Sequence, residues 1–162
     1  MKHLLGIVAS LLLCTFGTAW AGAAQEKVDL DKLPKEIVAA VKAKLPKAEL
    51  KHATKENDDG KVVYEVSITI GKQAMHAMVT AQGKLYELHK EIDAKDVPAK
   101  AAKAVQAKYP KAKWEGVEQI TDPDGKILAY EVVVEAAMGA FVEVLVDPDG
   151  KIRKETKIEP KK

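Results

Sequence analysis

The sequence predicts an α+β protein made of two tandem copies of one unit, a helix followed by a four-stranded antiparallel meander. Three observations predict it. The phrase AKLPKAELK (Ala43–Lys51) returns 64 residues later as AKYPKAKWE (Ala107–Glu115), with five of nine positions identical. Tyr64, Val66, Ile68 and Ile70 alternate with Glu65, Ser67 and Thr69, the period of a strand with one buried face. Glycine ends Asp58-Asp59-Gly60, Ala81-Gln82-Gly83, Asp122–Gly125 and Asp147–Gly150, each between apolar runs, as hairpin turns require.

In chain order, the first element is a secretory signal. Met1-Lys2-His3 is a short basic start, Leu4–Phe16 is almost wholly apolar, and Ala19-Trp20-Ala21 fits a small-x-small cleavage site. The expected mature chain begins at Gly22, and its apolar leader is too short for a spanning helix. Cys14 does not make a lipoprotein signal, because the bulky Leu13 precedes it. The single cysteine leaves with residues 1–21, so the mature chain has no disulfide, thiol nucleophile or cysteine metal site. Lys2 leaves as well, and 25 basic residues then face 24 acidic ones. That balance argues against a nucleic-acid partner, and no membrane anchor is expected after cleavage.

Each copy then opens with a helix. Pro34 and Pro98 stand where a helix start tolerates the missing N–H. Asp31 and Asp96 bring negative charge to those N-termini. Ile37, Val38, Val41 and Leu45 form one apolar stripe, matched by Ala101, Ala102, Val105 and Tyr109. Pro46 and Pro110 close both helices, since the residue before proline is driven out of the α region. Four strands follow in each copy. The first runs over 48–55 and 112–121; the second carries Tyr64–Ile70 and Tyr130–Glu135. Met75, Ala77 and Val79 mark the third strand, matched by Val142, Val144 and Val146, and the fourth begins at Leu85 and Ile152.

These elements place a first unit at residues 22–92, a second at 93–158 and a tail at 159–162. A unit of this size buries only about 60% of its unfolded surface and is marginal alone. The expected solution is one curved eight-stranded sheet with both helices on one face.

The residues Leu33-Pro34, Val41, Pro46, Ala48, Gly60, Tyr64-Glu65-Val66 and Gly83-Lys84 form a pattern. It recurs as Val97-Pro98, Val105, Pro110, Ala112, Gly125, Tyr130-Glu131-Val132 and Gly150-Lys151. Behind a signal peptide, this resembles the PepSY-like, β-lactamase-inhibitor-like proteins. The resemblance covers nearly all of the mature chain and implies two α+β repeats with an open sheet face able to bind another protein. No cofactor is expected. The β-lactamase inhibitory protein uses disulfides and an aromatic-rich face, which this chain lacks.

Residues out of phase with the core are expected on that open face. Val63, Met78, Val133 and Leu145 are expected there as exposed apolar groups, with Glu65, Glu131 and Glu143 as carboxylates beside them. Ser67, Thr69, His76, Thr80 and Glu135 share the phase. His52, His76 and His89 show no recognised ligand spacing, so they read as structural residues and no metal site is assigned. The Asp-rich turns lack the alternating ligands and terminal glutamate of a calcium loop. The lysines of both helices read as solvated faces. No nucleophile–base motif or phosphate loop occurs, so no catalytic residue is assigned. The expected function is an exported, non-enzymatic module binding a partner protein through its open face. A second reading is an envelope small-ligand or metal-ion binder using His52, His76 and the Asp-rich turns.

Overall fold

A computed structural model describes residues 26–58, 61–136 and 140–158. The segment expected to be a signal peptide, Asp59-Gly60 of the first hairpin turn and the 159–162 tail lie outside the described residues. The chain begins with β1 (Glu26–Val28), a 3-10 turn (Leu30–Lys32) and α1 (Lys35–Lys44). Next come β2 (Glu49–Asp58), β3 (Lys61–Ile70), β4 (Gln73–Thr80) and β5 (Leu85–Glu91). The same order follows again: a 3-10 turn (Ala94–Asp96), α2 (Ala99–Lys108), β6 (Lys113–Thr121), β7 (Ile127–Glu135), β8 (Phe141–Val146) and β9 (Ile152–Ile158).

The nine strands form one open antiparallel sheet in sequence order, so every strand pairs with its chain neighbour. The expected eight strands become nine because Glu26–Val28 pairs with Ala53–Lys55 along the free edge of β2. A three-residue strand carries too little alternation to stand out in a sequence, and edge pairing supplies the missing reason. The two halves join edge to edge between β5 and β6, from Leu88↔Thr121 to Glu91↔Glu118. Register shifts recur at matching places, Leu50/His52 with Trp114/Gly116 and Met78/Val79 with Leu145/Val146. Such bulges add local twist and bend, which curves the sheet.

The helices stop where proline requires. Leu45 and Tyr109, each just before a proline, leave the α region at φ −126°, ψ 72° and φ −120°, ψ 67°. Their amides still bond the Val41 and Val105 carbonyls at 2.8 Å. At the other end, Pro34 and Pro98 are the residues just before the first helical turn. The acids Asp31 and Asp96 sit within the preceding 3-10 turns.

Two cores lie under the two helices. Ile37 and Val41 of α1 pack with Tyr64, Val66, Ile68, Ala77 and Val79. Ala101 and Val105 of α2 pack with Tyr130, Val132, Val134, Val144 and Val146. Each fully buried aliphatic side chain contributes about 1.5–3 kcal/mol. Both helices therefore cover the same face of the sheet. Two turns also reach them: a Cβ on Gly150 would stand 2.8 Å from the Lys100 carbonyl oxygen, and one on Gly83 would stand 3.0 Å from Glu36.

Candidate functional site on the open sheet face

Strand alternation sends the remaining side chains to the opposite face, and the register shows which ones meet. Glu65 lies across from Met78, Ser67 from His76, and His76 from His89. Beyond the β5–β6 seam, Glu118 lies across from Glu131, Glu131 from Leu145, and Val133 from Glu143. All seven residues expected to bind a partner (Val63, Glu65, Met78, Glu131, Val133, Glu143 and Leu145) point to this face.

Their expected exposure is corrected. Val63 is 6% and Met78 2% exposed, Glu65, Glu131 and Glu143 are buried, and Val133 and Leu145 are half-buried. Each central-strand side chain has cross-strand neighbours about 4.5–5.5 Å away on both sides, and a curved sheet draws them together. Alternation separates two faces but does not distinguish a sheltered one from a flat, wet one. Val63, Met78, Ile120 and Ala129 are buried here yet belong to neither core under the helices.

The centre of the face is ionic. His76 Nδ1 lies 2.9 Å from Glu65 Oε1, and His76 Nε2 lies 4.0 Å from Glu118 Oε1. His89 Nε2 lies 3.3 Å from Glu87 Oε2, and His89 Nδ1 lies 3.4 Å from Glu118 Oε2. Burial disfavours a charged imidazole, but these carboxylates outweigh it. Glu65, with Glu118 behind it, raises His76 above its ordinary value. Glu118 and Glu87 raise His89 to about 10. The second half has no histidine at these positions. There, burial and the charges of Glu143 and Glu118 raise the Glu131 carboxyl to about 9. Burial, against the pull of Lys154, raises Glu143 to about 7.

Ser67 Oγ stands 3.3 Å from His76 Nδ1, which brings serine, histidine and glutamate together. This is not a catalytic relay. A triad uses opposite ring nitrogens for its serine and its acid, whereas Ser67 and Glu65 both meet Nδ1.

Residues 34–96 match the PepSY family model, described as the peptidase propeptide and YPEB domain. The chain carries a PepSY domain. It runs from the residue before α1 through β5 to the second 3-10 turn, and so includes Glu65, His76 and His89. The architecture matches solved structures across both halves. A DUF2874 family protein from Bacteroides uniformis aligns with TM-score 0.61 and 18% identity, over 76% of this chain and 88% of its own. A BLIP-like protein from Bacteroides fragilis aligns with TM-score 0.58 and 17% identity, over 80% and 89%. A candidate periplasmic protein from Bacteroides eggerthii gives TM-score 0.62 and 16% identity, over 77% and 88%. At these identities the likeness is one of fold. No curated protein matches the chain at a significant level.

Glu87 and Glu118 escape the sequence reading, and His76 and His89 show no ligand spacing along the chain. The missing information was pairing: residues 13 apart become direct neighbours once β4 and β5 form a hairpin. Glu118 follows the bulge at Trp114/Gly116, where simple alternation loses phase. His52 is exposed on β2, across from Ser67. Of the Asp-rich turns, those at Asp122 and Asp147 make ordinary turn bonds. The Asp122 carboxylate accepts from the Asp124 and Lys126 amides, and Asp147 O accepts from Gly150 N.

Proposed function

We propose that the chain is an exported, non-enzymatic PepSY-like module that holds a partner protein against the open face of its sheet. One observation carries this reading. Both helices cover a single face, and the other presents half-buried Val133 and Leu145 beside the carboxyl pair Glu131 and Glu143. An apolar contact bordered by charge is the anatomy of a protein-binding patch. The anchors are Val133 and Leu145 rather than the fully buried Val63 and Met78, and Glu65, Glu131 and Glu143 tune the field around them. The matched family's description as a peptidase propeptide favours a secreted hydrolase as the partner. No described helix is long and apolar enough to cross a membrane.

Capture from the host's envelope extract on immobilised chain from Gly22 onward tests this, with Val133→Lys/Leu145→Lys as the comparison. A protein held by the native face and lost by the double variant is the expected outcome, given an unchanged circular dichroism spectrum. Equal capture by both forms would overturn the assignment of this face. Inhibition of casein cleavage by the host's secreted proteins would extend the reading to restraint of a protease.

A further inference from the structure

Two buried atoms on the open face have no hydrogen bond to explain them. His89 is 2% exposed, and its Nδ1 faces Glu118 Oε2 at 3.4 Å. The contact is close enough to interact electrostatically, yet neither atom has an aligned hydrogen-bond partner among the described residues. A buried polar atom left in this state carries a real cost.

The surroundings show what would satisfy both. His76 and His89 stand directly across β4 and β5 from each other. A carboxylate already holds one nitrogen of each ring: Glu65 meets His76 Nδ1 at 2.9 Å and Glu87 meets His89 Nε2 at 3.3 Å. Those contacts keep a proton on the held nitrogen, and a metal ion at the other nitrogen would take the place of the second proton that a charged ring carries there. The two remaining nitrogens, His76 Nε2 and His89 Nδ1, face the two oxygens of one carboxylate, Glu118, at 4.0 and 3.4 Å. A histidine that ligates a metal ion commonly has its other nitrogen held by a carboxylate in this way. Ligand atoms around a tetrahedral ion with bonds of about 2.0 Å stand about 3.3 Å apart, close to the His89–Glu118 spacing.

We propose that His76, His89 and Glu118 bind one divalent transition-metal ion, with Zn²⁺ as the type, and that Glu65 and Glu87 orient the two rings. Among the described residues no group of three or more His, Cys, Asp or Glu side chains is already placed to hold a metal ion. A rotation that brings His76 Nε2 toward Glu118 would close the set, with water completing the coordination. Imidazole and carboxylate together suit zinc, copper or nickel and not calcium, which takes oxygen ligands. Glu143 and Thr156 replace the two histidines in the second half, so each chain has one site. This inference stands apart from the partner reading, and its test involves no partner.

The chain from Gly22 onward is titrated with Co²⁺, followed by visible absorbance, and with Zn²⁺ by calorimetry. One equivalent should bind, Zn²⁺ should displace Co²⁺, and excess Ca²⁺ should not. His76→Gln and His89→Gln should each weaken binding at least tenfold, and Glu65→Gln by about 10–100-fold. His52→Gln, on the same face, should leave it unchanged. Circular dichroism verifies folding, and if His89→Gln fails to fold, the partly exposed His76→Gln decides. The proposal is overturned if the native chain takes up no stoichiometric metal. It is also overturned if folded His76→Gln binds like the native chain, or if His52→Gln abolishes binding.

Discussion

His76 and Glu65 meet at 2.9 Å on a diagonal between β4 and β3, and Glu143 and Glu131 occupy the same diagonal between β8 and β7. One change of residue type, histidine to glutamate, turns an ion pair in the first half into a proton-sharing carboxyl pair in the second. Both arrangements hold protons that the unfolded chain would release. Glu131 rises to about 9 and Glu143 to about 7, while His89 rises to about 10 and His76 rises as well. The folded state therefore binds more protons than the unfolded state between about pH 4.5 and 10. Stability is full below the unfolded values and falls as pH rises through the folded ones. Wherever the folded state holds one extra proton, each pH unit removes about 1.4 kcal/mol. Urea midpoints at pH 5.5, 7 and 9 should decrease in that order, and a flat or rising series would contradict the shifts.

Glu131→Gln separates the carboxyl pair from the histidines. Glutamine keeps the shape and is neutral without holding a proton. The variant should match the native chain within about 1 kcal/mol at pH 4.5, added to the series, where the folded carboxyl is protonated and the unfolded one has only begun to ionise. At pH 9 it should be the more stable of the two, by at least about 1 kcal/mol, because removing one buried ionisable carboxyl also relieves Glu143. The same urea series measures it. Equal loss of stability at both pH values would show that the carboxyl proton is not shared in the folded state.

Two turn glycines offer a contrast in cause. Gly125 and Gly150 both sit at positive φ, 89° and 92°. A Cβ at Gly125 would meet nothing within 4 Å, whereas one at Gly150 would stand 2.8 Å from the backbone oxygen of Lys100 in α2. Gly125→Ala should cost about 1–2 kcal/mol, the strain of the left-handed region alone. Gly150→Ala should cost measurably more, since backbone on a helix cannot move aside as a side-chain tip can. Thermal midpoints compare them directly, and equal losses would mean that the β8–β9 turn does not press on α2.

The fold was far more legible than the site. Pro46 and Pro110 marked helix ends, Tyr64–Ile70 showed its strand by period two, and Gly83, Gly125 and Gly150 placed turns, because each of those signals acts within a few residues. Glu26–Val28 did not show, since a three-residue strand exists only through its partner β2. The open face was legible in membership but not in burial. Met78 reads as an exposed group in a strand pattern and becomes 2% exposed through neighbours supplied by curvature. The His76–His89–Glu118 cluster depends on a hairpin and on the β5–β6 seam at once, and no local pattern reports that combination.

That seam also bears on how the chain unfolds. Ile37 of α1 is fully buried in the first core, and Trp114 lies beside the second core and is the only tryptophan of the sequence after Trp20. Ile37→Ala should cost about 2–5 kcal/mol through lost burial and the cavity left behind. If β5 and β6 bind the halves into one cooperative unit, the Trp114 fluorescence transition should move by the same amount as the far-ultraviolet signal, although the substitution is in the other half. The seam carries Leu88 and His89, both buried, and the Ile92 amide bonds the Val117 carbonyl at 3.0 Å beside it. Breaking it would expose a sheet edge on each half together with the charges around Glu118. The expected result is therefore a single shifted transition. A biphasic dichroism curve with an unmoved tryptophan signal would instead make each half its own folding unit.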